Sequence, residues 1–319
     1  QRQMCIRDRS CGVCANDCRI GPDSSGFCGI VRNVNGELVR FGGTPEKGIL
    51  EWYYDDLPTN CVSWWFCPGC TGIGYPKYAY KPHAESGFSN LAIFYGACSF
   101  DCLFCQNWRY RDLSSKHRPI MSAGELVERA DKHVSCICYF GGDPSPQMPH
   151  SLEVSRLAIS KAGAGKRILR LCWETNGFMN PALAEKAAQY ALETGGNIKF
   201  DLKTWNEDLN IALCGVSNKP SLENFKRMGE KFFEKRGELP VLTASTLLVP
   251  GYVDEVEVEG IARFIGEVNP DIPYTLLAFY PCYIMNDLPT TTRKHAEECL
   301  RVARKYLRNI RIGNLHLLQ

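Results

Sequence analysis

The chain has 319 residues, 45% of them hydrophobic and 23% charged, enough to bury a full globular core. A net charge of +2 and the lack of a long Lys/Arg run exclude a strongly basic nucleic-acid surface. No run of about eighteen apolar residues and no charged-then-apolar leader are present, so the expectation is a soluble, cytoplasmic protein with no membrane span.

Taken in chain order, residues 1–10 (QRQMCIRDRS) read as a non-native or artefactual leader, and Cys5 within them is given no role. Residues 11–85 form a cysteine-rich extension with little periodicity, expected to be stabilised by metal rather than by a core. Residues 86–319 form the main domain. Strands are predicted at 91–95, 136–140, 168–174, 197–203, 242–249 and 274–280. Helices are predicted near 122–132, 151–163, 181–194, 220–235, 255–267 and 292–306, with Pro181 and Pro220 in first turns, where proline is tolerated. Runs such as ICYF and TLLAFY are nearly continuous in apolar residues, as strands buried on both faces should be. Six strand-then-helix units argue for an α/β fold of parallel strands with right-handed crossovers, a partial (βα)6 TIM-like barrel. A doubly wound open sheet is the alternative. In either layout function gathers at the C-terminal strand ends, which is where the polar signals fall.

Seventeen cysteines is a high count, and eleven of them lie in the first 105 residues. Without a leader, metal ligation in a reducing compartment is the better reading than disulfides. The six later ones (Cys136, Cys138, Cys172, Cys214, Cys282 and Cys299) stand mostly in apolar contexts, where a thiol acts as a small hydrophobe. Cys11, Cys14, Cys18 and Cys28 have spacings that could close a zinc site or an auxiliary cluster, with zinc slightly favoured. Cys61, Cys67 and Cys70 could hold a second metal with an external or substrate ligand. The densest group is CSFDCLFCQNW at 98–108, directly after the first strand of the main domain. Cys98, Cys102 and Cys105 could be a disulfide fragment, part of a zinc site, or iron–sulfur ligands. Structural zinc and ordinary ferredoxin clusters each take four protein ligands, and this loop offers three. The six histidines are isolated and show no metal-ligand spacing.

This loop, with its trailing Gln106-Asn107-Trp108, resembles the signature of the radical S-adenosylmethionine (radical SAM) superfamily. The branch it is most similar to is that of the pyruvate formate-lyase activating enzyme-related proteins. The resemblance covers residues 11–314, supported by FGGDPSPQ (140–147), ETNG (174–177), KFDLK (199–203), CGVSN (214–218), LLVPGYVDE (247–255), PYTLLAFYPCY (273–283) and RIGN (311–314). It implies a 4Fe-4S cluster on Cys98, Cys102 and Cys105 with one iron open to S-adenosylmethionine. Reductive cleavage of that molecule to a 5′-deoxyadenosyl radical follows, and the radical abstracts hydrogen from a substrate. Gly141, Gly142 and Asp143 are then expected around the methionyl ammonium, with Asp143 standing where the family usually has glutamate. Glu174, Thr175, Asn176, Asp201 and Lys203 are expected around the ribose and methionyl carboxylate. Some relatives hold a monovalent cation there; Glu174 stands where aspartate is familiar. Val249-Pro250-Gly251 and Phe279-Tyr280-Pro281 are expected to wall the adenine. The implied partners are flavodoxin or ferredoxin as electron donor and, from the label of the branch, a glycyl-radical enzyme as substrate. Radical modification or methylation of a peptide, RNA or small metabolite is the alternative, and a non-catalytic iron–sulfur or zinc electron-transfer module ranks last.

Overall fold

The computed structural model describes residues 8–59, 61–237 and 239–319. Cys5 and most of the expected leader lie outside the described residues. Strands β1 (Arg9–Cys11), β2 (Cys18–Ile20), β3 (Val31–Val34), β4 (Glu37–Arg40) and β5 (Gly48–Asp56) precede the short helix α1 (Pro68–Thr71). Then come β6 (Ser89–Tyr95), α2 (Tyr110–Lys116), β7 (Ile120–Met121), α3 (Ala123–Glu128), β8 (Val134–Gly141), α4 (Met148–Ala164), β9 (Arg170–Thr175), α5 (Pro181–Thr194) and β10 (Ile198–Asp201). The chain continues through α6 (Glu207–Cys214), α7 (Lys219–Phe232), β11 (Leu242–Leu248), α8 (Glu255–Val268), β12 (Tyr274–Ala278), α9 (Arg293–Ala303) and β13 (Ile310–Gly313).

Among the described residues one sheet carries nine strands, in the order β13-β12-β11-β10-β9-β8-β6-β5-β7. Neighbours from β6 to β13 are parallel, with helices returning the chain between them. This is the expected partial barrel of six strand–helix units, with β13 as a seventh parallel strand that sequence reading had left as the RIGN motif. Alternation divides each strand between two faces. Leu91, Ile93 and Tyr95, Ile137 and Tyr139, Leu171 and Trp173, and Ile198 and Phe200 are fully buried, in one cluster with Met148, Val154 and Ala158 of α4 and Ala184, Ala187 and Ala188 of α5. The other face of the same strands carries Ala92, Cys138, Glu174 and Asp201, which border open clefts. Asn180 caps α5 ahead of Pro181, and Pro220 lies in the first turn of α7, as expected.

Residues 11–85 are less separate from the barrel than their periodicity suggests. β5 pairs antiparallel with β6 along its length, from Leu50 opposite Tyr95 to Asp56 opposite Ser89, and β7 pairs with β5 in turn. The division at 85/86 therefore runs through one continuous sheet. A small apolar core is also present, in which Ile20, Ile30 and Val31 pack with Ile49 and Ala97. The β3–β4 hairpin turns on Asn35-Gly36, both at positive φ, as a two-residue hairpin requires. Farther along, Glu85 forms a buried ion pair with Arg170 of β9 at 2.7 Å, and the same guanidinium donates to the Tyr78 carbonyl at 2.8 Å. Among the described residues no helix is long and apolar enough to cross a membrane.

Candidate active site

The three-cysteine loop leaves β6 at the C-terminal edge of the sheet and docks on the end of α6. The Asp101 and Leu103 amides donate to the Cys214 and Leu213 carbonyls, both at 2.9 Å. Cys98 and Cys102 are buried and Cys105 is partly exposed. The Phe100 amide donates to Cys98 Sγ at 3.3 Å, and Asn176 Nδ2 lies 3.8 Å from the same sulfur. Burial pushes the Cys98 and Cys105 thiols up, whereas Cys102 is pulled down by a hydrogen bond from Cys214, which stays a neutral thiol. Sequence reading did not place Cys214 beside the loop. Arg111 pairs with Asp101 and lies over the rings of Tyr110 and Tyr283, holding the outer side of the loop.

Gly141 and Gly142 end β8 against the end of β6. Gly141 has φ of +115°, and a Cβ there would lie 2.4 Å from the Tyr95 nitrogen. A Cβ on Gly142 would lie 2.3 Å from the Ala97 carbonyl oxygen. Only glycine lets these backbones meet, and the approach leaves a stretch of strand end bare of side chains. The next residue, Asp143, is buried and accepts from the Ser145 amide at 2.6 Å, the Asn176 amide at 2.6 Å and Thr175 Oγ1 at 3.0 Å. Burial raises its pKa, and these hydrogen bonds oppose the rise. Asp143 thus ties the β8 and β9 ends together with its carboxylate.

The ends of β9 and β10 carry alternating charges. Glu174 accepts from Lys199 at 2.8 Å, and Asp201 accepts from Lys203 at 2.6 Å. Burial pushes the Asp201 pKa up, but Lys203 and Lys199 more than reverse this and leave it low. Burial likewise opposes charge on Lys199 and Lys203, and their carboxylate neighbours outweigh it and raise both. Lys199 was not singled out from the sequence, although the alternation that pairs Asp201 with Lys203 extends back to it. Both carboxylates thus face ammonium groups.

Cys98, Cys102, Cys105, Gly141, Gly142, Asp143, Glu174, Thr175, Asn176, Asp201 and Lys203 all line one cleft of about 790 Å³, together with Lys199, Gln106 and Asn107. Its apolar wall on the β11–β12 side is Leu247 and Leu277. The expected wall residues Val249 and Phe279 are instead fully buried just past the ends of β11 and β12, and they do not line the cleft.

The extension cysteines group differently. Cys11, Cys14, Cys18 and Cys28 surround a small cavity of about 300 Å³, where Arg40 donates to Cys11 Sγ at 3.3 Å and the Phe27 amide to Cys18 Sγ at 3.4 Å. Burial pushes Cys14 up to about 12. Cys61 and Cys67 line a separate cleft inside the barrel, with Cys70 against Cys67. Among the described residues no group of three or more His, Cys, Asp or Glu side chains is drawn in tightly enough to hold a single metal ion. The three-cysteine loop shares this open spacing.

A family model described as the radical SAM superfamily matches residues 92–265, more than half of the chain. The chain belongs to that superfamily. It is therefore a radical SAM enzyme, and its cofactors are a 4Fe-4S cluster and S-adenosylmethionine. The donor set on the 98–105 loop fits the cluster: three soft thiols facing a cleft, without a fourth Cys or any His within the loop. An uncharacterized protein of Methanocaldococcus jannaschii is 26% identical over 312 residues, covering 96% of this chain and 81% of that protein. A second protein of that organism, provisionally named a glycyl-radical enzyme activating enzyme, is 26% identical over 223 residues, covering 68% of this chain and 78% of its own length. The barrel is similar to that of Streptococcus suis SuiB bound to S-adenosylmethionine, with a TM-score of 0.50, 14% identity, and 69% of this chain and 49% of SuiB covered. The chain thus spans about half the length of SuiB.

Proposed function

We propose that Cys98, Cys102 and Cys105 hold the 4Fe-4S cluster, and that the enzyme activates a protein partner by abstracting hydrogen from one of its glycines. The observation that supports this most is the convergence of the three thiols with the ends of β8, β9 and β10 on a single cleft. When bound, the cluster supplies the electron that cleaves S-adenosylmethionine to methionine and a 5′-deoxyadenosyl radical.

The chain's own residues bind and orient. The bare strand end at Gly141 and Gly142 offers backbone groups to the methionyl ammonium. Lys203 turns from Asp201 to the methionyl carboxylate as a compact cation. Glu174 and Asp201 accept ribose hydroxyls, in charge-assisted bonds. Thr175 and Asn176 are fixed by Asp143 and keep the β9 end in place, while Phe140, Leu247 and Leu277 exclude water. Flavodoxin or ferredoxin delivers the electron. A glycine in a partner protein is favoured by the relative provisionally named for glycyl-radical activation. Cys11, Cys14, Cys18 and Cys28 act as one metal-holding unit, for zinc or an auxiliary cluster.

The test is anaerobic reconstitution with iron and sulfide, dithionite reduction, addition of S-adenosylmethionine, and chromatography for 5′-deoxyadenosine. Wild type should form it, and the Cys98→Ala/Cys102→Ala/Cys105→Ala variant should not. A cluster-loaded wild type that fails to bind S-adenosylmethionine would overturn the assignment of the cleft. For the partner, co-incubation with a purified glycyl-radical enzyme should leave a carbon-centred EPR signal on that protein. A methylated or otherwise modified product in its place would move the substrate to another class.

A further inference from the structure

A second cleft opens in the barrel, bordered by none of the three cysteines of the 98–105 loop. It lies deeper in the barrel than the first, toward the N-terminal ends of the strands, and shares Phe140 and Glu174 with it. Its sheet wall carries Cys136, Cys138 and Cys172. Cys136 and Cys138 fall on one face of β8 by alternation, and Cys138 is in register with Cys172 of β9. The facing wall is the loop before and through α1, which brings Cys61 and Cys67 to the same space. Cys70 is hydrogen-bonded to Cys67, and both pack in one cluster with Cys136 and Leu57.

Six thiols from three chain segments thus meet in the barrel interior. A cysteine serving as a small hydrophobe belongs in a close-packed core, but five of these border open space. Polar donors reach the loop side of the cleft. The Ser63 amide donates to Cys61 Sγ at 3.4 Å. The buried Arg170 guanidinium sits against the Cys67-Pro-Gly-Cys70 turn, where a Cβ on Gly69 would lie 2.8 Å from Nη2. Its Nε finds no acceptor among the described residues.

We infer that Cys61, Cys67, Cys70 and Cys136 form a second all-thiolate centre inside the barrel, built for an auxiliary iron–sulfur cluster, with Cys138 and Cys172 beside it. The thiols stand on facing walls of the cleft, a spread that suits a polynuclear cluster. The shared Glu174 places the centre directly behind the radical-generating cleft; binding of a cluster would remove the Cys61 thiol proton that Glu174 accepts at 3.1 Å.

The test counts metal and does not depend on cleavage of S-adenosylmethionine. Full-length wild type, the Cys98→Ala/Cys102→Ala/Cys105→Ala variant, and that variant with Cys67→Ser/Cys136→Ser added are reconstituted anaerobically. Iron, acid-labile sulfide and zinc are measured per chain, with EPR of the reduced samples. Adding Cys67→Ser/Cys136→Ser should remove about four irons and four sulfides and the matching signal. Unchanged iron, or zinc in place of iron, would overturn the inference. If the combined variant does not fold, Cys70→Ser alone in the wild-type background decides. It should alter or abolish one cluster signal while the response of the other to S-adenosylmethionine persists, and an unaltered spectrum would overturn the inference.

Discussion

Asp143, at the end of β8, accepts the backbone N–H of Asn176, at the end of β9, at 2.6 Å inside the floor of the candidate active site. The same buried carboxylate takes the Ser145 amide and the Thr175 hydroxyl, so one side chain sets the distance between two strand ends that face the cofactor cleft. Asp143→Ala leaves two buried amides without acceptors, which should cost about 3 kcal/mol of stability. The dissociation constant for S-adenosylmethionine should rise about tenfold, near 1.4 kcal/mol, with iron content unchanged. Urea unfolding and calorimetric titration of the reconstituted enzyme check the two effects, and an unshifted midpoint would remove Asp143 from this role.

Lys199 and Glu174 form one of the two ion pairs in the cleft, with Lys199 buried and Glu174 22% exposed. Lys199→Met strands the carboxylate and should destabilise the protein by about 3 kcal/mol. Lys199→Met with Glu174→Gln should lose less than Lys199→Met alone, because no uncompensated charge remains. Denaturant midpoints of the three proteins check this, and equal losses would mean that the pair carries no coupling.

How far the sequence discloses this site follows from what each residue depends on. Cys98, Cys102 and Cys105 are legible because their spacing is local. Asp201 and Lys203 are legible because strand alternation projects them to one side. Lys199 obeys the same alternation and needed only one more step back along β10. Cys214 could not be read this way, since it reaches Cys102 through backbone bonds between α6 and the 98–105 loop, more than 100 residues apart in the chain. Cys136, Cys138 and Cys172 read as core thiols because periodicity assigns a face but does not tell whether a cavity stands before it. β5 was missed because its partner β6 lies beyond a long irregular loop. The β3–β4 hairpin was signalled by Asn35-Gly36 and passed over beneath the density of cysteines.

Arg170 and Glu85 hold that irregular loop to the barrel with side chains almost wholly removed from water. Burial opposes ionisation of Glu85, and the adjacent guanidinium more than offsets it, so its pKa is held low. Arg170→Met removes this compensation and should cost about 4 kcal/mol. Adding Glu85→Gln should recover part of the loss. Thermal melts of both variants check the prediction, and it fails if the double variant is no more stable than Arg170→Met.

His150 gives the fold a pH dependence of defined sign. Its Nε2 faces the Met121 carbonyl at 3.0 Å and must therefore carry the proton, so Nδ1 accepts from Tyr95 Oη at 2.8 Å. Burial pushes the His150 pKa down to about 4, against a partial upward pull from the Met121 carbonyl and the charge of Glu46. An unfolded chain binds the proton near pH 6.5. Between about 6.5 and 4 the unfolded state therefore holds more protons, and stability falls as pH falls through this window; above it the residue contributes no slope. The depression corresponds to about 3 kcal/mol lost across the window. His150→Phe removes the titration, though it also leaves Tyr95 and Met121 without their partner and lowers stability at every pH. The comparison is accordingly one of slopes. Urea midpoints from pH 7 to pH 4 should fall more steeply for wild type than for His150→Phe, by one proton's worth. Parallel curves would show that His150 titrates alike in both states.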